Sequence, residues 1–160
     1  MLIGGSSVGI YFDLIHFRDL FFDPLYHAFT FVCGFFLMTM AFRAAAAGGR
    51  ELAKEGRKNS STPRLETDSL VTTGIYAQMR HPMLFGLSLV PLALSLIVGS
   101  PTFILFIAPL ETLFIIVMVL TLEERECRKK FGAAYEEYAR RVPAVCFKRE
   151  CLMKLFSKKV

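Results

Sequence analysis

Residues 83–122 read MLFGLSLVPLALSLIVGSPTFILFIAPLETLFIIVMVLTL, a run in which Glu111 is the single charged side chain. Two apolar stretches, 83–98 and 101–122, are separated by Gly99-Ser100, with Pro101 opening the second. A link that short accommodates only an antiparallel helical hairpin, so both outer ends of the pair lie on one side of whatever it crosses. A further stretch, 24–47, also meets the requirement of about 20 predominantly apolar residues for a membrane crossing. The expected fold is therefore all-α: an integral membrane helical bundle with a tight C-terminal transmembrane hairpin and a cytoplasmic helix. At 160 residues, 54% of them hydrophobic, the chain has the composition of one small membrane domain.

Charge assigns the sides. Residues 43–80 carry seven basic and four acidic side chains and residues 125–160 eleven and four, whereas residues 1–23 carry Arg18 against Asp13, Asp19 and Asp23. Cytoplasmic segments of membrane proteins hold the excess of Lys and Arg, so one crossing by 24–47 puts the N-terminus outside. The stretch 1–23 is aromatic but interrupted by Asp13, His16, Arg18 and Asp19, and reads as interfacial. No charged start or small-residue cleavage site marks a removable leader there. Basic residues flanking membrane spans are explained by orientation and by anionic headgroups, which leaves nucleic acid without support. Cys33, Cys127, Cys146 and Cys151 show no C-x-x-C spacing and no nearby pair of histidines. They read as ordinary thiols, with neither zinc nor a disulfide expected.

The single expected domain then divides into the interfacial segment 1–23, a span at 24–47, a cytoplasmic loop at 48–82, the hairpin at 83–122, and a cytoplasmic helix with a basic tail at 123–160. Within the loop, 50–58 suits one or two helical turns and Asn59-Ser60-Ser61-Thr62-Pro63 breaks them. Residues 65–73 suit an extended loop, and Thr72-Thr73-Gly74 a turn before Ile75. Pro82 is tolerated in a first helical turn, so a helix is expected to open at His81-Pro82. That places Arg80 and His81 at a helix N-terminus, where free amides and the dipole favour an anion such as a carboxylate. Beyond the hairpin, Phe131, Tyr135, Tyr138 and Val142 recur at three- and four-residue steps, an apolar stripe expected to pack back over the loop. Glu124 and Arg128 form an i,i+4 pair, as do Glu126 and Lys130. Glu123 has Cys127 at that spacing and is the carboxylate freer to bind a ligand. Glu111, an acid inside an apolar span, is a default functional candidate as a contact for a cationic acceptor, the alternative being exposure to a water-filled cleft or the opposite interface.

The order Leu70-Val71, Gly74-Ile75-Tyr76, Arg80-His81-Pro82-Met83, then a tight hairpin, then Glu123-Glu124 and Phe131-Gly132-x-x-Tyr135-x-x-Tyr138, resembles the membrane methyltransferase family of isoprenylcysteine carboxyl methyltransferases and related phospholipid methyltransferases. The resemblance covers 68–143. It implies S-adenosylmethionine as cofactor, contacted by Asp68, Ser69, Leu70, Val71, Tyr76, His81, Pro82, Met83, Leu84 and Glu123, with Arg80 and Glu123 as the candidate catalytic residues. No metal is implied. The implied acceptor is a lipid-attached or lipophilic partner, first the C-terminal carboxylate of an isoprenylated cysteine, alternatively the amine of a phospholipid or another small lipophilic nucleophile. A carboxylate acceptor is already ionised at neutral pH, whereas an ammonium must first lose a proton. The implied location is the endoplasmic reticulum in a eukaryote or the inner membrane in a bacterium. This chain has Leu84 where the family often has Tyr, Phe147 where a proline is usual, and Val119 where the prenylcysteine enzymes carry an Arg expected to meet the acceptor's carboxylate. A non-catalytic scaffold retaining the fold is the reading of a different class, distinguished by failure to bind cofactor.

Overall fold

The computed structural model describes residues 2–57 and 67–156. All regular structure in them is helical: α1 (Leu2–His16), α2 (Arg18–Phe21), α3 (Pro24–Glu55), α4 (Pro82–Val98), α5 (Ala108–Met118), α6 (Glu124–Arg141) and α7 (Arg149–Phe156), with a 3₁₀ turn at Gly74–Ala77. Wider π turns at Phe103–Ile107 and Val119–Glu123 precede α5 and α6. The expected break at Asn59-Ser60-Ser61-Thr62-Pro63 and the tail residues 157–160 lie outside the described residues. Two helices, Pro24–Glu55 and Phe103–Arg141, are long and apolar enough to cross a membrane, and the apolar helix Pro82–Val98 has 17 residues, the short end of the crossing range. The chain divides into two compact units, Met1–Ala41 with Leu87–Val117 and Phe42–Gly86 with Met118–Val160.

The first unit has the inverse of a water-soluble protein's distribution. Leu25, Phe29, Val32 and Phe35 are exposed, while Asp13, Thr30, Ser95, Ser100 and Glu111 are buried. A surface of that kind suits lipid, where helices associate through small residues and internal polar contacts. Gly34 of α3 meets α4 so closely that a methyl there would lie 2.7 Å from the Ile97 nitrogen and 2.8 Å from the Ala93 oxygen. Gly5 and Gly9 of α1, four residues apart, do the same against Ile107 and Phe103. One further turn along that face, Asp13 closes the hairpin: its carboxylate accepts the Thr102 amide at 2.8 Å and the Ser100 hydroxyl. The chain reverses at Gly99, whose φ of 69° a side chain rarely adopts. Asp13 is thus a cap for the incoming helix and not an interruption of α1.

In the second unit, Ala44, Ala47, Gly48 and Glu51 form the buried stripe of α3's last turns. Gly48 lets the start of α4 approach, since a methyl there would meet Met83 Cγ at 2.6 Å and Pro82 Cγ at 3.1 Å. Helix α4 opens at Pro82 as expected. Residues 142–144 lie along Arg80-His81, with Pro143 and Ala144 carbonyls accepting the Arg80 and His81 amides at 3.0 and 3.2 Å. Cys146 and Cys151 form a disulfide, with Cα atoms 6.2 Å apart. This corrects the expectation of free thiols there: the bend after Ala144 folds α7 back within bonding reach, which a spacing of five residues does not reveal. Cys33 and Cys127 are free thiols.

Candidate functional site

The second unit contains a cavity of about 380 Å³, within the roughly 300–1,000 Å³ usual for small-molecule sites. Of the residues expected to contact a cofactor, Ser69, Leu70, Val71, Tyr76, His81, Met83, Leu84 and Glu123 line it, as does Arg80. Asp68 and Pro82 do not; Asp68 is tied through its amide to the Gly56 carbonyl, and Pro82 is buried at the foot of α4. Glu111 is outside this cavity and belongs to the first unit, buried with Oε2 lacking a hydrogen-bond partner. Leu52, Thr67, Cys127, Phe131, Tyr135 and Tyr138 complete the wall. The three rings among them belong to the stripe expected to pack over the loop, and they do so: Tyr138 donates its hydroxyl to the Tyr76 carbonyl at 2.6 Å.

Each wall has a local cause. Gly74 turns the chain with φ 56°, and its missing side chain admits Glu51, whose carboxyl carbon would lie 2.5 Å from a methyl placed there. Glu51 Oε1 accepts the Thr73 hydroxyl at 2.6 Å, fixing the Gly74–Ala77 turn that presents Tyr76. Sequence reasoning missed Glu51, whose only signal was an acid at the end of an otherwise small-residue stripe. Helix α6 breaks at Gly132, and Phe131 before the break and Tyr135 and Tyr138 after it all face the cavity.

Charge is distributed differently from the sequence expectation. Glu124 is buried, whereas Glu123 reaches the cavity from an exposed position. Glu124 Oε1 accepts Arg80 Nε at 3.0 Å, Arg80 Nη2 at 2.6 Å and His81 Nε2 at 2.8 Å, while Arg128 stands 3.8 Å from Oε2. Arg80 Nη1 donates to the carbonyls of Ala139 and Val142 at 2.9 and 2.6 Å. All three guanidinium nitrogens of Arg80 thus have partners within the protein. Burial raises the pKa of Glu124, but the hydrogen bonds from His81 and Arg80 and the nearby charge outweigh it, leaving the carboxyl below its ordinary value of 4.5.

An ionised Glu124 requires His81 Nε2 to carry a proton, so the neutral ring has its lone pair on Nδ1. Burial pushes the phenols of Tyr76, Tyr135 and Tyr138 and the thiol of Cys127 upward, so all four are neutral near pH 7. The Tyr135 hydroxyl is buried without a hydrogen-bond partner. Glu123 is exposed and forms no ion pair among the described residues. With Arg80 and Glu124 cancelling, the cavity offers one free carboxylate beside four aromatic rings, an environment that favours a cationic, partly apolar ligand.

The sequence profile of the phospholipid methyltransferase family matches residues 27–134. A protein-S-isoprenylcysteine O-methyltransferase of Schizosaccharomyces pombe is 27% identical over 154 residues, covering 90% of this chain and 60% of the yeast protein. The chain therefore spans about 60% of the length of that curated relative. No solved structure matches.

Proposed function

Because this chain belongs to the phospholipid methyltransferase family, we propose that it transfers a methyl group from S-adenosylmethionine to a membrane-associated acceptor. The observation that carries the reading is the charge and shape of the cavity: a free Glu123 carboxylate and the rings of Tyr76, Phe131, Tyr135 and Tyr138 around about 380 Å³. S-adenosylmethionine fits that donor set. Its sulfonium and ammonium are cations, its adenine has flat faces that stack on aromatic rings, and its carboxylate suits the amides of Met83 and Leu84, which a helix's first turn leaves without intrahelical acceptors. When bound it supplies an electrophilic methyl group, transferred by in-line displacement that needs orientation and exclusion of water.

Between the two acceptor classes, the cavity favours an amine. Val119 replaces the arginine expected for a carboxylate acceptor, and the guanidinium that does line the cavity, Arg80, is spent on Glu124 and two carbonyls. The carboxylate of an isoprenylated cysteine is the second reading, favoured by the likeness to the yeast protein-S-isoprenylcysteine O-methyltransferase. The test is calorimetric titration of detergent-purified protein with S-adenosylhomocysteine, followed by methyl transfer to amine lipid and to prenylcysteine. Glu123→Gln is expected to weaken cofactor binding about tenfold, the worth of one charge-assisted contact of roughly 1.5 kcal/mol. Folded protein that binds no cofactor would instead support the scaffold reading.

A further inference from the structure

The cavity contains an imidazole whose two nitrogens have different fates. His81 Nε2 is committed to Glu124 Oε1 at 2.8 Å. His81 is largely buried and lines the cavity, and with Nε2 committed to Glu124 the nitrogen left to serve a ligand is Nδ1. Glu124 orients that ring through the Nε2 contact. A carboxylate-bound imidazole is superfluous for a carboxylate acceptor and needed for an ammonium acceptor.

We propose that His81, held by Glu124, is the general base that removes a proton from an amine acceptor, with His81 the catalytic residue and Glu124 the positioning residue. This rests on the methyltransferase reading above and specifies its acceptor. The acceptor's N–H bond breaks and its proton passes to Nδ1. The freed lone pair forms the new N–CH3 bond as the methyl–sulfur bond breaks, and that electron pair stays on sulfur. The imidazolium then returns its proton to water. The groups around the ring leave this role to His81. Arg80 is a fixed cation and Glu124 its counter-ion, the Glu123 carboxylate is taken by the cofactor's ammonium in the reading above, and burial holds Tyr76, Tyr135, Tyr138 and Cys127 in their protonated forms.

His81→Gln tests the assignment, because the glutamine amide retains an N–H for Glu124 and lacks a nitrogen that can take a proton. Wild-type and variant are compared in S-adenosylhomocysteine affinity and in the pH dependence of methyl transfer to an amine lipid in mixed micelles. The expected result is a loss of about 10²- to 10⁴-fold in kcat at neutral pH, shrinking as pH approaches the range where the amine deprotonates unaided. A loss of the same size at every pH overturns the proposal, as does a loss matched by lost cofactor affinity, or full activity. Wild-type transfer to prenylcysteine but not to amine overturns it while leaving the methyltransferase reading intact. Wild-type protein that neither binds S-adenosylhomocysteine nor transfers methyl overturns both.

Discussion

Glu123 and Glu124 are adjacent, chemically identical and opposite in environment, one exposed and one buried. Glu124 receives three donors on one oxygen, and with the Arg80 side chain 12% and its own 9% exposed, the pair is an internal clamp. Breaking such a buried pair from one side leaves the other charge unpaired, typically at a cost of about 3–5 kcal/mol. Glu124→Gln is expected to lower stability by that amount, measured by thermal unfolding in detergent with Glu123→Gln as the comparison that barely changes it. The sign with pH follows from the lowered pKa. Glu124 contributes its stability above the ordinary carboxyl value of 4.5 and loses it as pH falls through the lower folded value. Wild-type protein should therefore lose stability over that acid interval more steeply than Glu124→Gln. The sequence reading found both carboxylates and both cations, since charged residues at a membrane boundary stand out. The bonds from Arg80 to Glu124, Ala139 and Val142 were not legible, because those partners lie 44, 59 and 62 residues away.

At the scale of elements, the hairpin, the Pro82 start and the aromatic stripe were legible, because each rests on a local signal: an apolar run, a tight turn, a proline or a helical period. Helix α1 was not. Its Asp13 breaks the apolar pattern when read alone, and its use as a cap for Thr102 and Ser100 depends on a partner nearly ninety residues away. Gly5, Gly9 and Gly34 are likewise unremarkable in composition and decisive in packing. At Gly34 the neighbours of an added methyl are backbone atoms of α4, which cannot swing aside as a flexible side chain does. Gly34→Ala is therefore expected to cost about 1–3 kcal/mol by overpacking, whereas Gly4→Ala, with open space around it, should be neutral. Unfolding midpoints of the two variants in a common detergent decide it, and equal midpoints would mean that α3 and α4 do not pack at Gly34.

For the whole molecule, the same charge count that suggested orientation can be set against the distribution of functional groups. The cavity, the Arg80–Glu124 clamp and the disulfide all fall in residues 42–86 and 118–160, the two stretches flanked or occupied by basic excess. The first unit supplies the apolar exterior, and its buried polar residues serve packing and the hairpin cap. A hairpin returns the chain to the side it left, so residues before α4 and after α5 should share one face of the membrane, the cytoplasmic one by the positive-inside rule. Arg57 and Lys129 are exposed positions that report those two stretches, and Arg18 reports the N-terminal side. With the free thiols Cys33 and Cys127 replaced, cysteines placed singly at the three positions are labelled with a membrane-impermeant maleimide in oriented vesicles. Arg57→Cys and Lys129→Cys should react from the cytoplasmic side and Arg18→Cys from the other. Opposite labelling of the first two would disprove a double crossing by the hairpin. Cytoplasmic labelling of Arg18→Cys would mean that α3 does not cross, and a water-soluble methyl donor and a lipid acceptor would then have to meet by a different route.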